Sequence, residues 1–405
     1  MSVASALKLE HRRPGRIRPD LSALREALEK LGDPQRSFSS VLIVGTNGKG
    51  STAAMLEAVL REHAVRTGLF TSPHLVDVEE RVRLDGVPVN PGDFARHLDR
   101  LAGFPDLTYF ETITAAAFSV FAESAIDVAV LEAGMGGSWD ATRLAESEIA
   151  GLTNVGTDHR RWLGQERSDI ARDKGRALAA ARFGLIGGDL ETAAMSELDA
   201  PHSRKVATVV RRMTLDDGRV RFDWTDGGTN VRLPIPGGHQ ALNAQLAVAL
   251  ALKTVAAGWL PFLDPILVRR ALEGVRWPGR LSVHRVAGRE VLVDCAHNLE
   301  AARALAAHLS SRGRRYNLVF SCLEDKPVEE MAAVLRPCVD AVVVCKLPDE
   351  RAMDLERIRA AFPGATSAES PLAALDVVPD PVLAAGSVRL AGALLAHADD
   401  TEGPG

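Results

Sequence analysis

Short apolar runs that break off into glycine or a small polar residue recur through the first two-thirds of the chain, at 41–45, 66–71, 127–133, 149–153 and 183–187. Between them lie stretches of helical spacing, the clearest starting near Ser51 and running to about His63. Runs with no polar alternation mark strands buried on both faces. Their alternation with helices predicts a mostly parallel sheet covered on both sides. Ligands in such sheets sit beyond the carboxyl ends of the strands. Around 206–235 the pattern changes to polar-apolar alternation with turns at Asp216-Asp217-Gly218 and Asp226-Gly227-Gly228, which predicts a small β insert ahead of a helix at 239–256.

A second alternating block follows Trp277-Pro278-Gly279-Arg280, with strands near 291–295, 316–320, 341–345 and 382–385. Pro278 and Gly279 end any helix arriving from the first block, so the boundary is expected near 277–283. The fold class expected is α/β. A P-loop-type, mostly parallel domain with a β insert spans 1–279, and a smaller Rossmann-like α/β domain spans 280–405. Residues 396–405 have lost periodicity and are expected to fray.

At 405 residues the chain has room for two ordinary domains. A net charge of −5 with both signs interspersed argues against a nucleic-acid binder and offers no polybasic patch to a membrane. Arg12, Arg13, Arg16 and Arg18 precede no apolar core of signal-peptide length. Cys295, Cys322, Cys338 and Cys345 show no close paired spacing, which fits a reducing compartment. The expectation is a cytoplasmic protein acting on small molecules, most simply as a monomer.

The chemistry lies at the strand ends. The run 41–44 leads into Gly45-Thr46-Asn47-Gly48-Lys49-Gly50-Ser51-Thr52, a glycine-rich turn with one lysine and two hydroxyls that opens a helix. Backbone amides freed by glycine, a lysine point charge and a helix N-terminus together form an anion cradle. A strict P-loop would place a glycine at Ile43 and a hydroxyl at Gly50, so this is a variant form, and a plain glycine-rich turn is the alternative. Lys49 is one of only 8 lysines against 40 arginines, and Lys174 and Lys326 also fall in the segments below.

Ser72, in Phe70-Thr71-Ser72-Pro73-His74, is either a metal or phosphate ligand or a helix cap. Glu132, in Val130-Leu131-Glu132-Ala133-Gly134, ends an apolar strand. A carboxylate there needs a cation, either magnesium or a buried arginine. Thr157-Asp158-His159-Arg160 continues to Asp173-Lys174-Gly175, where His159 is a ligand, a proton carrier or a loop residue. A last group joins Asn243, Arg280 and Asp294-Cys295-Ala296-His297-Asn298, in which arginine can reach phosphates and aspartate can hold a ribose.

Taken in order, GTNGKGST, TSPHL with ERVR, LEAGMGG with WDAT, GTDHRRWLG with DKG, GGHQALNA, WPGR and DCAHN resemble the folylpolyglutamate synthase and dihydrofolate synthase family, from about residue 20 to 392. The wider relatives are the Mur ligases. The resemblance implies an ATP-dependent ligase that joins L-glutamate to dihydropteroate, or to the γ-carboxylate of a reduced folate, through an acyl phosphate. It implies that residues 45–52 hold the triphosphate, with Lys49 on the outer phosphates. It also implies magnesium at Ser72, Glu132 and His159, with Lys174 as a carbamate beside a second ion. Asn243, Arg280, Asp294, His297 and Asn298 match nucleotide contacts, and domain closure would exclude water from the acyl phosphate.

The chain departs from the family pattern at four places. Residues 138–143 read Ser-Trp-Asp-Ala-Thr-Arg where Arg-Leu-Asp-Ala-Thr-Asn is typical, and Cys295 stands for the usual glycine. Gly175-Arg176-Ala177-Leu178 replaces Ala-Gly-Ile, and 321–327 differs from the Met-X-Asp-Lys form. The competing readings are a folylpolyglutamate synthase without dihydropteroate activity, a paralogue with another acceptor, and a silent ATP- or folate-binding protein.

Overall fold

The computed structural model describes residue 9 and residues 19–188, 195–206, 210–216, 218–224 and 230–399. The turn residues Asp217, Asp226, Gly227 and Gly228, the N-terminal arginines and 400–405 lie outside the described residues. The chain divides into two compact units. One comprises 1–213, 221–233 and 240–275, and the other 214–220, 234–239 and 276–405.

The first unit is built on an eight-stranded sheet. Its strands are β1 (Ser39–Val44), β2 (Thr67–Phe70), β3 (Val82–Leu84), β4 (Val87–Pro88), β5 (Val128–Glu132), β6 (Ile149–Leu152), β7 (Phe183–Ile186) and β8 (Arg204–Lys205). They lie in the order β4-β3-β2-β5-β1-β6-β7-β8. From β2 to β8 every pairing is parallel, whereas β3 and β4 add an antiparallel edge. β2 and β5 are buried at every position and β1 at all but its first, as the unbroken apolar runs require.

Register aligns the strand ends. Ile43 faces Glu132, Val44 faces Leu152 and Phe70 faces Leu131, so the segments after β2, β5, β1 and β6 emerge side by side along one edge. Helices are anchored by local chemistry. Tyr109–Glu123 begins with a reciprocal cap between Thr108 and Glu111, and Arg167–Ala180 with one between Glu166 and Asp169. Between sheet and helices a core that includes Leu42, Phe70, Phe118, Phe121 and Leu131 excludes water. Three further strands, β9 (Val210–Asp216), β10 (Arg219–Trp224) and β11 (Val231–Arg232), form a separate sheet in the order β11-β10-β9.

The second unit has a six-stranded sheet made of β12 (Ser282–Val286), β13 (Arg289–Val293), β14 (Tyr316–Phe320), β15 (Val339–Cys345), β16 (Thr366–Ala368) and β17 (Val382–Ala385). Its order is β12-β13-β17-β14-β15-β16, parallel except for the β12–β13 hairpin. β17 returns between β13 and β14, which gathers the segments after these three strands, 294–298, 321–326 and 386–387. No helix among the described residues is long and apolar enough to cross a membrane.

Candidate functional site

The glycine-rich loop is tied down from beneath by the strand next to it. Thr46 N donates to the Asn154 carbonyl at 3.1 Å, Asn47 N to Asn154 Oδ1 at 3.0 Å, and Thr153 Oγ1 to the Asn47 carbonyl at 2.6 Å. The Thr46 hydroxyl accepts from Gly156 N at 2.8 Å. Thr153 and Asn154, which follow β6, therefore fix the cradle that follows β1. Gly48 caps the helix Lys49–Glu62 at φ 81°, and a Cβ there would collide with the Asn243 side chain. The close approach of Asn243, held by Gln240 Oε1 at 2.9 Å, thus requires glycine.

Two hydroxyls at the start of that helix, Ser51 Oγ and Thr52 Oγ1, are buried and have no hydrogen-bond partner. Buried hydroxyls are almost always satisfied. In a loop of this kind they suit a phosphate oxygen or a metal ion bound to one.

Lys174 is 2 % exposed, and its Nζ donates to the Gly45 carbonyl at 2.9 Å, so the sequence-predicted lysine does sit against the phosphate loop. Burial and the neighbouring Lys49 ammonium push its pKa down to about 7, against the pull of Asp173, Asp158 and Asp140. The helix that carries it is clamped to the loop after β5. Gly137 N donates to Asp173 Oδ2 at 2.8 Å, and a Cβ on Gly137 would lie 2.9 Å from both the Asp173 carbonyl oxygen and Lys174 Cα. With Gly136, which sits at φ 72° and where a Cβ would lie 2.5 Å from Asp173 Oδ2, this explains two glycines of the Gly134-Met135-Gly136-Gly137 stretch. Position 175 is equally tight, because a Cβ there would overlap the Leu198 carbonyl oxygen. Gly175→Ala is therefore expected to lower stability by roughly 2 kcal/mol or more in a thermal melt.

Glu132 is buried at the end of β5 and accepts from Ser72 N at 3.0 Å. The two residues predicted from separate motifs therefore meet. His159 caps the short helix Arg160–Leu163 at φ 62°, its amide donating to Asp158 Oδ1 at 2.9 Å. Among the described residues no three His, Cys, Asp or Glu side chains cluster as a ready metal cage. The expected set of Ser72, Glu132, His159 and Lys174 contains only two side chains of that class, and an ion held there takes its remaining oxygens from phosphate, water or a modified lysine.

In the second unit Asp294 receives Leu281 N at 3.0 Å and Ala296 N at 2.8 Å. Burial raises its pKa, opposed chiefly by Arg280. His297 Nδ1 lies 2.8 Å from the Cys295 carbonyl, and Asn298 Oδ1 caps the helix Leu299–Arg312 by accepting from Ala301 N at 2.9 Å. The Cys295 thiol is pushed up to about 11 by burial, so it is an inert packing group. Arg280 Nη1 donates to the Gly279 carbonyl at 2.9 Å. Lys326 is 6 % exposed, with Nζ 3.1 Å from Asp325 Oδ2.

Sequence reasoning named neither Thr153 nor Asn154 as a support of the loop, nor Asp173 as the clamp on the glycine pair. Their signal was present in Thr153-Asn154 directly after a strand and in Asp173 beside Lys174.

A parallel sheet whose variant P-loop is backed by a buried lysine, followed by a second α/β unit, defines an ATP-dependent ligase of the Mur type. The Mur ligase middle domain matches residues 43–251, and the Mur ligase glutamate ligase domain matches 279–394. The dihydrofolate synthase/folylpolyglutamate synthase of Mycobacterium tuberculosis is 36% identical over 88% of this chain and 81% of its own length. A probable bifunctional folylpolyglutamate synthase/dihydropteroate synthase of Haloferax volcanii is 35% identical over 85% of this chain, which spans 43% of that longer protein. Among solved structures, the Mycobacterium tuberculosis folylpolyglutamate synthase complexed with ADP superposes with a TM-score of 0.86 at 32% identity, covering 97% of this chain and 98% of that one. A bifunctional folylpolyglutamate synthase/dihydrofolate synthase with Mn, AMPPNP and L-glutamate bound gives 0.83 at 26% identity, covering 98% of each. The chain belongs to the dihydrofolate synthase/folylpolyglutamate synthase family of Mur ligases.

Proposed function

We propose that the protein is an ATP-dependent ligase that adds L-glutamate to dihydropteroate and to the γ-carboxylate of reduced folates, as a bifunctional dihydrofolate/folylpolyglutamate synthase. The observation that carries this reading is the buried Lys174 Nζ, 2.9 Å from the Gly45 carbonyl of the phosphate loop, in a chain of this family. The domains are assigned as 1–279 for ATP binding and 280–405 for glutamate ligation.

The terminal phosphoryl group of ATP passes to the acceptor carboxylate, and the amine of L-glutamate then displaces phosphate from the acyl phosphate. The protein's task is to hold the moving charge. Amides of 45–50 and the ammonium of Lys49 orient the triphosphate, and the unpartnered hydroxyls of Ser51 and Thr52 fit an ion on its outer oxygens. A divalent metal ion, when bound, neutralises phosphate oxygens and opens phosphorus to attack. Glu132, Ser72 and His159 are assigned to hold it.

Lys174 is assigned as a carbamate. Its neutral amine, available because the pKa is about 7, adds carbon dioxide and loses a proton, turning a buried cation into an anionic ligand. Asn243, Arg280, Asp294 and Asn298 are assigned to the nucleotide, with His297 and Arg280 toward the phosphates. Asp294→Asn is expected to raise the KM for ATP about tenfold with a smaller change in kcat, which initial-rate kinetics would read. The four cysteines are free, which supports a reducing cytoplasm.

The altered stretch 138–143 favours a second reading, in which the acceptor is narrower or different. Acceptor-dependent ADP release decides between them. With magnesium, ATP and L-glutamate, release on both dihydropteroate and tetrahydrofolate is expected. Release on tetrahydrofolate alone would restrict the enzyme to chain extension, and silence on both would contradict the proposal.

A further inference from the structure

Two departures from the family pattern, 138–143 and 175–178, meet at one point. Arg143 Nη1 donates to the Ser138 carbonyl at 2.9 Å, and Arg176 Nη1 donates to Ser138 Oγ at 3.2 Å. Ser138 Oγ also lies 3.4 Å from the Asp173 carbonyl, so the serine bridges the loop after β5 to the helix that carries Lys174. Where the family typically has arginine at 138 and asparagine at 143, this chain has the reverse arrangement of charge, a small hydroxyl at 138 and a guanidinium at 143 folded back onto it. Arg176 adds a second.

Neither guanidinium is within ion-pair distance of a carboxylate among the described residues. Elsewhere in this unit surface arginines are commonly paired, as Arg66 is with Asp127, Arg172 with Glu197 and Arg182 with Glu148. Arg143 is half-buried, and desolvation disfavours its charge, with Arg176 adding repulsion and Asp173 and Asp140 offsetting part of it from beyond ion-pair distance. Two like charges held against one serine repel unless an anion joins them, and each retains N–H donors to offer it. Paired guanidinium groups match the geometry of a carboxylate.

We propose that Arg143 and Arg176 form a carboxylate clamp for the acceptor, binding the α-carboxylate of its terminal glutamyl group. This rests on the ligase reading. The γ-carboxylate of such an acceptor is consumed by the reaction, so the α-carboxylate is the one left to recognise. Dihydropteroate has no such group, and the clamp therefore favours glutamylated acceptors and chain extension. Incoming L-glutamate carries the same chemistry and must be distinguished by experiment.

The test is titration calorimetry with tetrahydrofolate and its α-carboxamide, in the presence of ADP and magnesium, on the parent chain and on Arg143→Asn and Arg176→Gln. Arg176 is exposed, so its variant is expected to fold even if the half-buried position proves sensitive. In the parent, tetrahydrofolate should bind at least about tenfold more tightly than the carboxamide. Each variant should lose most of that preference, with Arg143→Lys retaining part of it. An equal preference in parent and variants would overturn the clamp, as would a parent that binds both compounds alike. A rise in the KM for L-glutamate with the acceptor preference intact would assign the arginines to the wrong substrate. A parent that binds with the expected preference but releases no ADP would refute the ligase reading and leave the clamp standing.

Discussion

Glu132→Gln is expected to reduce kcat by roughly a thousandfold while leaving the thermal midpoint nearly unchanged. Glutamine keeps the length of the side chain and an oxygen to accept from Ser72 N, so the 3.0 Å bond beyond the carboxyl end of β2 survives. What it removes is the negative charge. A carboxylate buried at the end of β5 is costly to keep charged without a cation, and the hydroxyls of Ser51 and Thr52 mark where phosphate-bound metal would lie. Initial rates of ADP release and a melting curve on the same preparation make the check. Turnover near the parent level would remove Glu132 from the metal site.

The second large effect concerns Lys174. Both Lys174→Ala and Lys174→Arg are expected to be almost inactive, because neither can take up carbon dioxide and arginine cannot become neutral in a protein. Formate or acetate should partly restore the alanine variant by supplying the missing carboxylate. Labelled bicarbonate should give the parent a carbamate carbon resonance that both variants lack. Only the neutral amine reacts, so the carbamylated fraction should fall as pH drops through about 7 and rise above it. The unmodified lysine binds its proton more weakly in the folded chain than in the unfolded one. In buffer free of carbon dioxide, stability should accordingly rise with pH from about 7 toward the ordinary lysine range. Full activity of Lys174→Arg would end the carbamate assignment.

The central strands could be read from the sequence because burial on both faces leaves unbroken apolar runs. β1, β2, β5 and β6 lie within a residue or two of the runs at 41–45, 66–71, 127–133 and 149–153. The edges could not. β3 and β4 are short, β4 is exposed at both positions, and they are recognisable only through antiparallel pairing, β3 onto β2 and β4 onto β3. β12, Ser-Val-His-Arg-Val, alternates exposed and covered positions and gains its strand character from the hairpin with β13. β8 is two exposed residues that only their neighbour β7 makes a strand.

The same distinction holds in the site. Gly45, Lys49, Ser72 and Glu132 announce themselves because each ends a strand or opens a helix. Their convergence depends on strand order, which places β5 between β2 and β1 and which no local pattern specifies. Thr153, Asn154 and Asp173 work by holding other groups, and a residue whose role is to receive a backbone amide has no compositional mark. The cluster of Ser138, Arg143 and Arg176 is legible in sequence only as separate departures, and spatial proximity turns them into one feature.

The most direct test of the ligase account is to give the enzyme tetrahydrofolate labelled with heavy oxygen in its γ-carboxylate, together with ATP, magnesium and L-glutamate, and to weigh both products. The account predicts a folate heavier by one glutamyl residue and one labelled oxygen in the released phosphate, since the acceptor oxygen leaves with the phosphoryl group. Phosphate without label, or ATP consumed with no glutamylated folate, would contradict it.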